Sequence, residues 1–224
     1  MEEKVDADSG QKAPVGTLVL FFLFLLIVSA VLFFWRPSST SPPPQELVGV
    51  LRPEPKALEN FELVDQRGER FDRDRLLGRW SFLFLGYTHC PDVCPATLSI
   101  LSQVQKRIAD LPQPPATQMV FVSVDPQRDG PERLAEYLNY FNPDFIGLTG
   151  KMEMIDAFVR QLGAGYMRGE ETSPGNYVVN HTSAIFLVDP DARSVAAFSQ
   201  PHDPDTIVEL FDMVRIYLAS RATS

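Results

Sequence analysis

Both cysteines of the chain, Cys90 and Cys94, lie in one short segment at 86–95, called here the cysteine loop. It reads Gly-Tyr-Thr-His-Cys-Pro-Asp-Val-Cys-Pro and follows an apolar run at 82–85. Two thiols at this spacing can close a disulfide or hold one soft metal ion. A third interpretation is a pair of buried thiols that have no chemical role, because cysteine is often simply buried. Two cysteines cannot form a disulfide framework for a whole fold.

The spacing of the two cysteines favours a metal over a relaxed disulfide. We expect them in the loop and first turn of a helix that has Pro91 in its first turn. Residues i and i+4 of a helix have Cβ atoms about 6 Å apart, whereas a relaxed disulfide needs about 3.8 Å. The helix N-terminus also favours the thiolate, which binds metals and attacks disulfides. Slight unwinding of the first turn would permit a disulfide, so both uses stay open.

Alternating strands and helices must position the cysteine loop. Strands are predicted at 61–64, 69–72, 79–87, 119–124, 145–148, 183–188 and 194–198, and helices at 96–109, 131–141, 152–162 and 204–218. This alternation predicts an α/β domain with parallel pairing, and the last two strands, with no helix between them, predict an antiparallel edge. The expected fold is thioredoxin-like, with a central mixed sheet flanked by helices and the cysteines in the loop after a strand of its β-α-β unit.

A metal site needs a third ligand, because two thiolates alone leave the coordination of the ion incomplete. The candidates are the three histidines, His89, His181 and His202. His181 is favoured because in a thioredoxin-like plan the segment before the strand at 183–188 packs beside the cysteine loop. We expect His89 to point away from the thiols and His202 to lie in an exposed loop. Two thiolates and an imidazole favour copper or zinc, and three ligands fit copper better than structural zinc, which takes four.

The segment at 17–35 is an uncharged apolar run. About 18 or more such residues can cross a bilayer as a helix, whereas a signal peptide has an apolar core of about 7–15 residues. We therefore predict a tail at 1–16, a transmembrane helix at 17–35, a Pro/Ser-rich linker at 36–55 and a thioredoxin-like domain at 56–224. The flanking basic residues do not decide the orientation of the helix.

The overall charge excludes one class of partner. The chain of 224 residues has a formal net charge of −9. Binding to a phosphate backbone needs clustered Lys and Arg, so we expect no nucleic acid partner. The length suits one domain of about 150–200 residues with additional segments.

The cysteine loop resembles that of the Sco (SenC) family of copper chaperones. The blocks at 122–129 and 145–150, and His181-Thr182-Ser183 with the segment to 190, also match. The resemblance implies a thioredoxin-like fold in which Cys90, Cys94 and His181 bind copper as Cu(I) or Cu(II). It also implies assembly of the dinuclear copper centre of cytochrome c oxidase subunit II, by copper delivery, by reduction of that subunit's cysteines, or by both. Asn180 departs from the family, which usually has an acidic residue there, and this puts the family's copper affinity in doubt.

The expected protein is a membrane-anchored metallochaperone, with Cys90 and Cys94 as a redox pair if it also reduces disulfides. Its expected partners are subunit II, an upstream copper donor and the membrane. The alternative is an anchored thiol–disulfide oxidoreductase of the same fold, which needs the cysteines but not His181. A peroxiredoxin-like peroxidase is disfavoured because Thr88 stands two residues before Cys90, not three. The resemblance and the lack of an Arg-rich transit segment predict a bacterial inner-membrane protein with a periplasmic domain.

Overall fold

The computed structural model describes residues 15–34 and 42–222, which belong to two separate compact units. The first unit contains helix α1 (Val15–Phe34), whose described side chains are almost all exposed. Within residues 15–34 and 42–222, no helix combines the length and apolarity needed to cross a membrane. The transmembrane helix predicted at 17–35 is therefore not confirmed. Residue 35, most of the predicted tail and the start of the predicted linker lie outside the described residues.

The second unit, Pro42–Thr223, contains ten strands and four helices among its described residues. The strands are β1 (Leu51–Ala57), β2 (Glu62–Asp65), β3 (Arg70–Asp72), β4 (Trp80–Gly86), β5 (Thr117–Ser123), β6 (Ile146–Thr149), β7 (Tyr166–Arg168), β8 (Val179–His181), β9 (Ile185–Val188) and β10 (Arg193–Phe198). The helices are α2 (Val93–Ala109), α3 (Pro131–Asn139), α4 (Met152–Gln161) and α5 (Pro204–Ala222). Each predicted strand and helix has a counterpart, with ends shifted by a few residues.

Eight strands form one mixed sheet in the order β1-β10-β9-β4-β5-β6-β2-β3. β4, β5 and β6 run parallel, whereas β9 pairs antiparallel with β4 and with β10. α2 packs against β5 and α5, and α3 packs against β6. The predicted α/β plan of a mixed sheet flanked by helices is confirmed. The antiparallel edge next to β10 is formed by β1, which the sequence pattern did not predict.

The centre of the core comes from β4 and β5. Every residue of both strands except the first is buried, as expected for parallel strands that are covered on both faces. The two strands are in register at their carboxyl ends, where Gly86 lies opposite Ser123. Loops that follow neighbouring parallel strands meet at this edge of the sheet, and it is the place where ligand sites form in such folds. The cysteine loop starts here.

The folded unit begins before residue 56, inside the segment predicted as a linker. Leu47 is fully buried, and β1 pairs antiparallel with β10 from Leu51 onwards. The prolines that suggested a linker, Pro53 and Pro55, lie in β1, at the edge of the sheet. An edge strand tolerates proline because its outward N–H groups need no partner in the sheet. Proline content therefore marks an edge strand here.

A separate two-stranded antiparallel sheet consists of β7 and β8, in which Tyr166 pairs with His181. The segment 166–181 is called here the histidine hairpin. Its strands have three residues each, and most of these residues are at least partly exposed. They therefore lack the apolar alternation from which strands are predicted. His181 is the last residue of β8.

Candidate metal centre

The cysteine loop connects β4 to α2, and the two thiols differ in burial. Cys94 is fully buried as the second residue of α2, whereas Cys90 lies before the helix and is partly exposed. Asp92 occupies the N-cap position, but its side chain makes no capping hydrogen bond. The helix begins at Val93 rather than around Pro91, so the two cysteines are not the i and i+4 residues of one helical turn. Both thiols are free.

Gly86 lets the buried sulfur approach the end of β4. A Cβ atom at this position would lie 2.9 Å from the Cys94 Sγ and 2.6 Å from a ring carbon of Phe121. Real Cβ atoms do not approach heavy atoms so closely, so any larger residue would displace the sulfur, the ring or the strand. Glycine is needed at the first residue of the cysteine loop because the backbone itself lines the site.

Asp129 anchors the cysteine loop to the segment that follows β5. Its fully buried carboxylate accepts hydrogen bonds from the Thr88 N–H at 2.9 Å, the Thr88 Oγ1 at 2.7 Å and the Ser123 Oγ at 2.7 Å. Hydrogen bonds to a charged group are among the stronger ones in proteins. No role for Asp129 was predicted from the sequence. It could have been suspected as a polar residue shortly after β5, because the loops that follow the neighbouring parallel strands β4 and β5 meet at the same edge of the sheet.

His181 reaches the thiols from the histidine hairpin. Its ring makes edge contacts with Phe84 and Tyr87, at centroid distances of 5.9 and 6.2 Å. Its Nδ1 lies 3.1 Å from the Thr182 carbonyl oxygen, and its Nε2 lies 3.6 Å from the Cys94 Sγ. A carbonyl oxygen can only accept, so the proton at this contact is on Nδ1. The Nε2 lone pair then faces the cysteines, which is the tautomer a metal-ligating histidine needs.

The ligand atoms of Cys90, Cys94 and His181 all lie within 4.8 Å of one another. Two ligands that are each about 2.3 Å from one ion can be at most about 4.6 Å apart, so the cluster needs little adjustment to hold an ion. Two sulfurs and an imidazole nitrogen form a soft donor set, which suits copper or zinc and not Mg²⁺ or Ca²⁺. The structure thus brings together the three residues that the sequence analysis selected.

The two thiols differ in acidity because each stabilises one charge state of the other. The hydrogen bond from Cys94 lowers the pKa of Cys90 to about 3, although burial acts in the opposite direction. The same hydrogen bond and burial raise the pKa of Cys94. The pair therefore holds one proton, on the buried sulfur, and presents a thiolate at the partly exposed sulfur.

The other two histidines lie outside this cluster. The Nδ1 of His89 is 3.2 Å from the Thr88 Oγ1 and 3.8 Å from the Asp129 carboxylate, on the side of the loop that Asp129 holds. The Nε2 of His202 is 2.9 Å from the Ser183 carbonyl oxygen. His202 lies in the exposed loop before α5, as predicted, and its side chain is partly buried. Asp125, two residues after the end of β5, contacts Tyr177 and Arg128.

The fold and the cluster define a class: thioredoxin-like domains with two cysteines in the loop after a central strand and a histidine beside them. The family model described as SCO1/SenC matches residues 51–214 of the chain. The chain therefore belongs to the SCO1/SenC family, as the cysteine loop suggested.

Individual relatives agree with this assignment. A protein of Stutzerimonas stutzeri described as a putative copper-binding protein is 40% identical over 144 residues, 63% of this chain and 69% of the relative. The mitochondrial SCO2 homolog of Mus musculus is 33% identical over 74% of this chain and 65% of its own length. The crystal structure of Arabidopsis thaliana ScoI with copper bound is 34% identical, covers 71% of this chain and 98% of that chain, and has a TM-score of 0.66.

Proposed function

We propose that this protein is a copper chaperone that binds one copper ion through Cys90, Cys94 and His181. The observation that carries the proposal is the cluster of three soft ligand atoms within 4.8 Å of one another. The copper-bound relative of the same fold supports copper over zinc. A site with three protein ligands leaves one position open, whereas structural zinc sites are closed by four.

The unequal exposure of the two thiols suits the release of a metal ion. Cys90 is partly exposed, whereas Cys94 is fully buried. An incoming thiolate of a partner can therefore reach the ion from the Cys90 side while Cys94 still holds it. The family resemblance supports a recipient, the dinuclear copper centre of cytochrome c oxidase subunit II, and an upstream donor that loads the site.

The same pair supports a second function, reduction of the partner's cysteines. The lowered pKa of Cys90 keeps its sulfur as the attacking thiolate at neutral pH. Attack on a partner disulfide forms a mixed disulfide, which Cys94 then displaces. The protein ends with a Cys90–Cys94 disulfide, and the partner gains two electrons and becomes two thiols, with one proton from Cys94 and one from water. The competing function is that of a thiol–disulfide oxidoreductase that does not handle copper, and this function gives no role to His181.

Copper titration of the full chain with matched histidine variants tests the proposal. We expect one Cu(I) or Cu(II) per chain, and an affinity at least tenfold weaker in His181→Ala. His202→Ala removes an imidazole outside the cluster and is expected to bind like the parent. If His181→Ala binds copper as tightly as the parent, the three-ligand site is wrong. Unchanged exchange with a peptide disulfide in that variant would then favour the oxidoreductase.

The proposal includes attachment to a bacterial inner membrane through residues 17–35, with the domain in the periplasm. Its support is the absence of charge from α1 and the resemblance to anchored proteins of the Sco family. Extraction of membranes with alkaline carbonate provides the test. A chain that stays with the membrane supports the attachment, and a chain that is released contradicts it.

A further inference from the structure

Tyr177 lies between two arginines in the histidine hairpin, four residues before His181. The guanidinium carbons of Arg128 and Arg168 are each 3.6 Å from the centroid of its ring. Two guanidinium groups cannot occupy the same place over one face of a ring, so they lie on opposite faces. Cations over aromatic faces attract the ring electrostatically. The ring is 6% exposed and is therefore held on both sides.

The hydroxyl group of Tyr177 is also fixed. It donates to the Oδ1 of Asp125 at 2.7 Å, and the Oδ2 of Asp125 accepts from the Arg128 Nε at 2.5 Å. Asp125 is 3% exposed, so this hydrogen-bonded group is shielded from water. The Nη1 of Arg128 further donates to the Gly175 carbonyl oxygen at 3.1 Å, within the histidine hairpin. Ring, hydroxyl and neighbouring backbone are thus all tied to the segment after β5.

The segment after β5, residues 124–130, also supports the cysteine loop. Its Asp129 holds Thr88, and the Asp129 N–H donates to the Asp125 carbonyl oxygen at 3.0 Å. The guanidinium of Arg128 lies 5.6 Å from the ring centroid of Tyr87, which in turn contacts His181. One turn of chain therefore holds the thiols through Asp129 and the histidine hairpin through Asp125 and Arg128.

The histidine hairpin has further attachments, among them the Arg168 Nη1, which donates to the Gln127 Oε1 at 3.2 Å. Among the described strands, β7 and β8 pair only with each other. At the other end of the hairpin, the hydroxyl of Tyr166 donates to the Asp156 carboxylate and contacts the Met152 Sδ, both in α4. Tyr166 pairs with His181 in the two-stranded sheet, so these contacts fix one side of β8. Tyr177, four residues before His181, fixes the chain that leads into β8, and the position of His181 depends on both.

We propose that Tyr177, held by Arg128, Arg168 and Asp125, is a positioning residue that sets His181 against the thiol pair. The inference rests on the copper-binding proposal, because it assigns the residue that orients one of the ligands. A ligand held in place before the ion arrives loses less entropy on binding. Residues behind metal ligands typically change metal affinity about 10–100-fold when they are replaced.

Copper(II) affinity and the sulfur-to-copper charge-transfer band of the full chain test this inference. We expect Tyr177→Leu to bind about 10–100-fold more weakly, with a shifted band. Tyr177→Phe keeps the stacked ring and is expected to recover most of the affinity. Arg168→Gln, at a partly exposed arginine, should lose about two- to fivefold. Tyr140→Leu, at a tyrosine that is 86% exposed, is the control and should match the parent.

A double variant separates positioning from general damage. In the His181→Ala background, Tyr177→Leu is expected to cause no further loss of affinity, because the ligand it positions is absent. Equal losses in both backgrounds, or parent-like affinity and spectrum in Tyr177→Leu, would overturn the inference.

A readout without copper keeps the inference distinct from the proposed function. In the metal-free chain, Tyr177→Leu should speed amide exchange of Gly169, which donates to the Val178 carbonyl oxygen at 2.8 Å, and leave β4 and β5 protected. Exchange that rises throughout the sheet, or not at all, contradicts positioning. If the parent itself binds no copper, the copper proposal fails and hydrogen exchange alone decides.

Discussion

The cysteine loop and the histidine hairpin supply one proposed site, yet they are built in opposite ways. The loop follows a central strand that is buried except at its first residue, and its Cys94 and the Asp129 that anchors it are both 0% exposed. The histidine hairpin is a separate two-stranded sheet of mostly exposed residues, held by a tyrosine, arginines and a carboxylate. Local stability follows buried apolar contact, so the thiols belong to the stable part of the fold and His181 to the less stable part.

This difference bears on how the proposed site would gain and lose an ion. The two sulfurs keep their arrangement without metal because the core holds them. The sheet does not hold His181, the third proposed ligand, in the same way, because among the described strands β8 pairs only with β7. Changes in the cysteine loop should therefore affect folding and binding together, whereas changes in the histidine hairpin should affect binding alone.

The largest expected effect is on copper binding, in Cys94→Ala. This change removes a sulfur that lies 3.6 Å from the His181 Nε2, and it leaves Cys90 as the one thiol of the cluster. We expect copper binding to be abolished in a competition titration, a larger loss than in His181→Ala. Equal losses of copper affinity in the two variants would show that the thiols and the histidine contribute alike, which would contradict the expected difference between the two regions.

Asp129→Ala should give the largest loss of folding stability. The substitution leaves the Thr88 N–H and the hydroxyls of Thr88 and Ser123 without their buried acceptor. We expect the free energy of unfolding to fall by about 3 kcal/mol, measured by urea unfolding of the metal-free chain. Asp144→Ala, at an exposed carboxylate, is the control and should stay within about 0.5 kcal/mol of the parent. A small effect of Asp129→Ala would mean that the loop is held by other contacts.

Paired glycine substitutions compare the two regions directly. In Gly86→Ala the new Cβ would clash with the Cys94 Sγ and the Phe121 ring, so we expect about 1–3 kcal/mol of destabilisation and weaker copper binding. Gly165→Ala, next to the histidine hairpin, places its Cβ in open space and should change stability by less than about 0.5 kcal/mol. Thermal unfolding of both variants measures the difference. If Gly86→Ala were as stable as the parent, the cysteine loop would not be tightly packed.

The smallest expected effect is that of pH on alkylation of Cys90. Because its pKa is lowered to about 3, the thiolate is present throughout pH 5–8, and its rate of reaction with iodoacetamide should be nearly constant there. An ordinary thiol with a pKa of about 8.5 would slow about tenfold per pH unit below that value. In Cys94→Ala the main cause of the lowered pKa is gone, so the rate should fall as pH falls. Mass spectrometry of the alkylated protein measures the reaction rate in the parent and in Cys94→Ala.

The parts of the molecule that were predictable from sequence are those with a local pattern. β4 and β5 are continuous apolar runs, and the thiols stand four residues apart in one motif, so both followed from neighbouring residues. β1 was missed because its prolines suggest a linker until its place at the sheet edge is known. The hydrogen bonds from Thr88 to Asp129 join residues 41 positions apart, and no short-range pattern marks such a pair.

The histidine hairpin shows the same limit at the proposed site. His181 was predicted as a ligand because of its place in the thioredoxin-like plan. β7 and β8 were not predicted, because two strands of three mostly exposed residues each show no apolar periodicity. The stacking of Arg128 and Arg168 on Tyr177 depends on tertiary structure, because the first arginine lies on another loop.

X-ray absorption at the copper edge of the loaded full chain tests the central claim most directly. The account predicts two sulfur neighbours at about 2.3 Å, by analogy with zinc–thiolate lengths, and one imidazole nitrogen at about 2.0 Å. In His181→Ala the imidazole contribution should disappear while both sulfurs remain. A parent spectrum without the imidazole, or with fewer than two sulfurs, would contradict a site made of Cys90, Cys94 and His181.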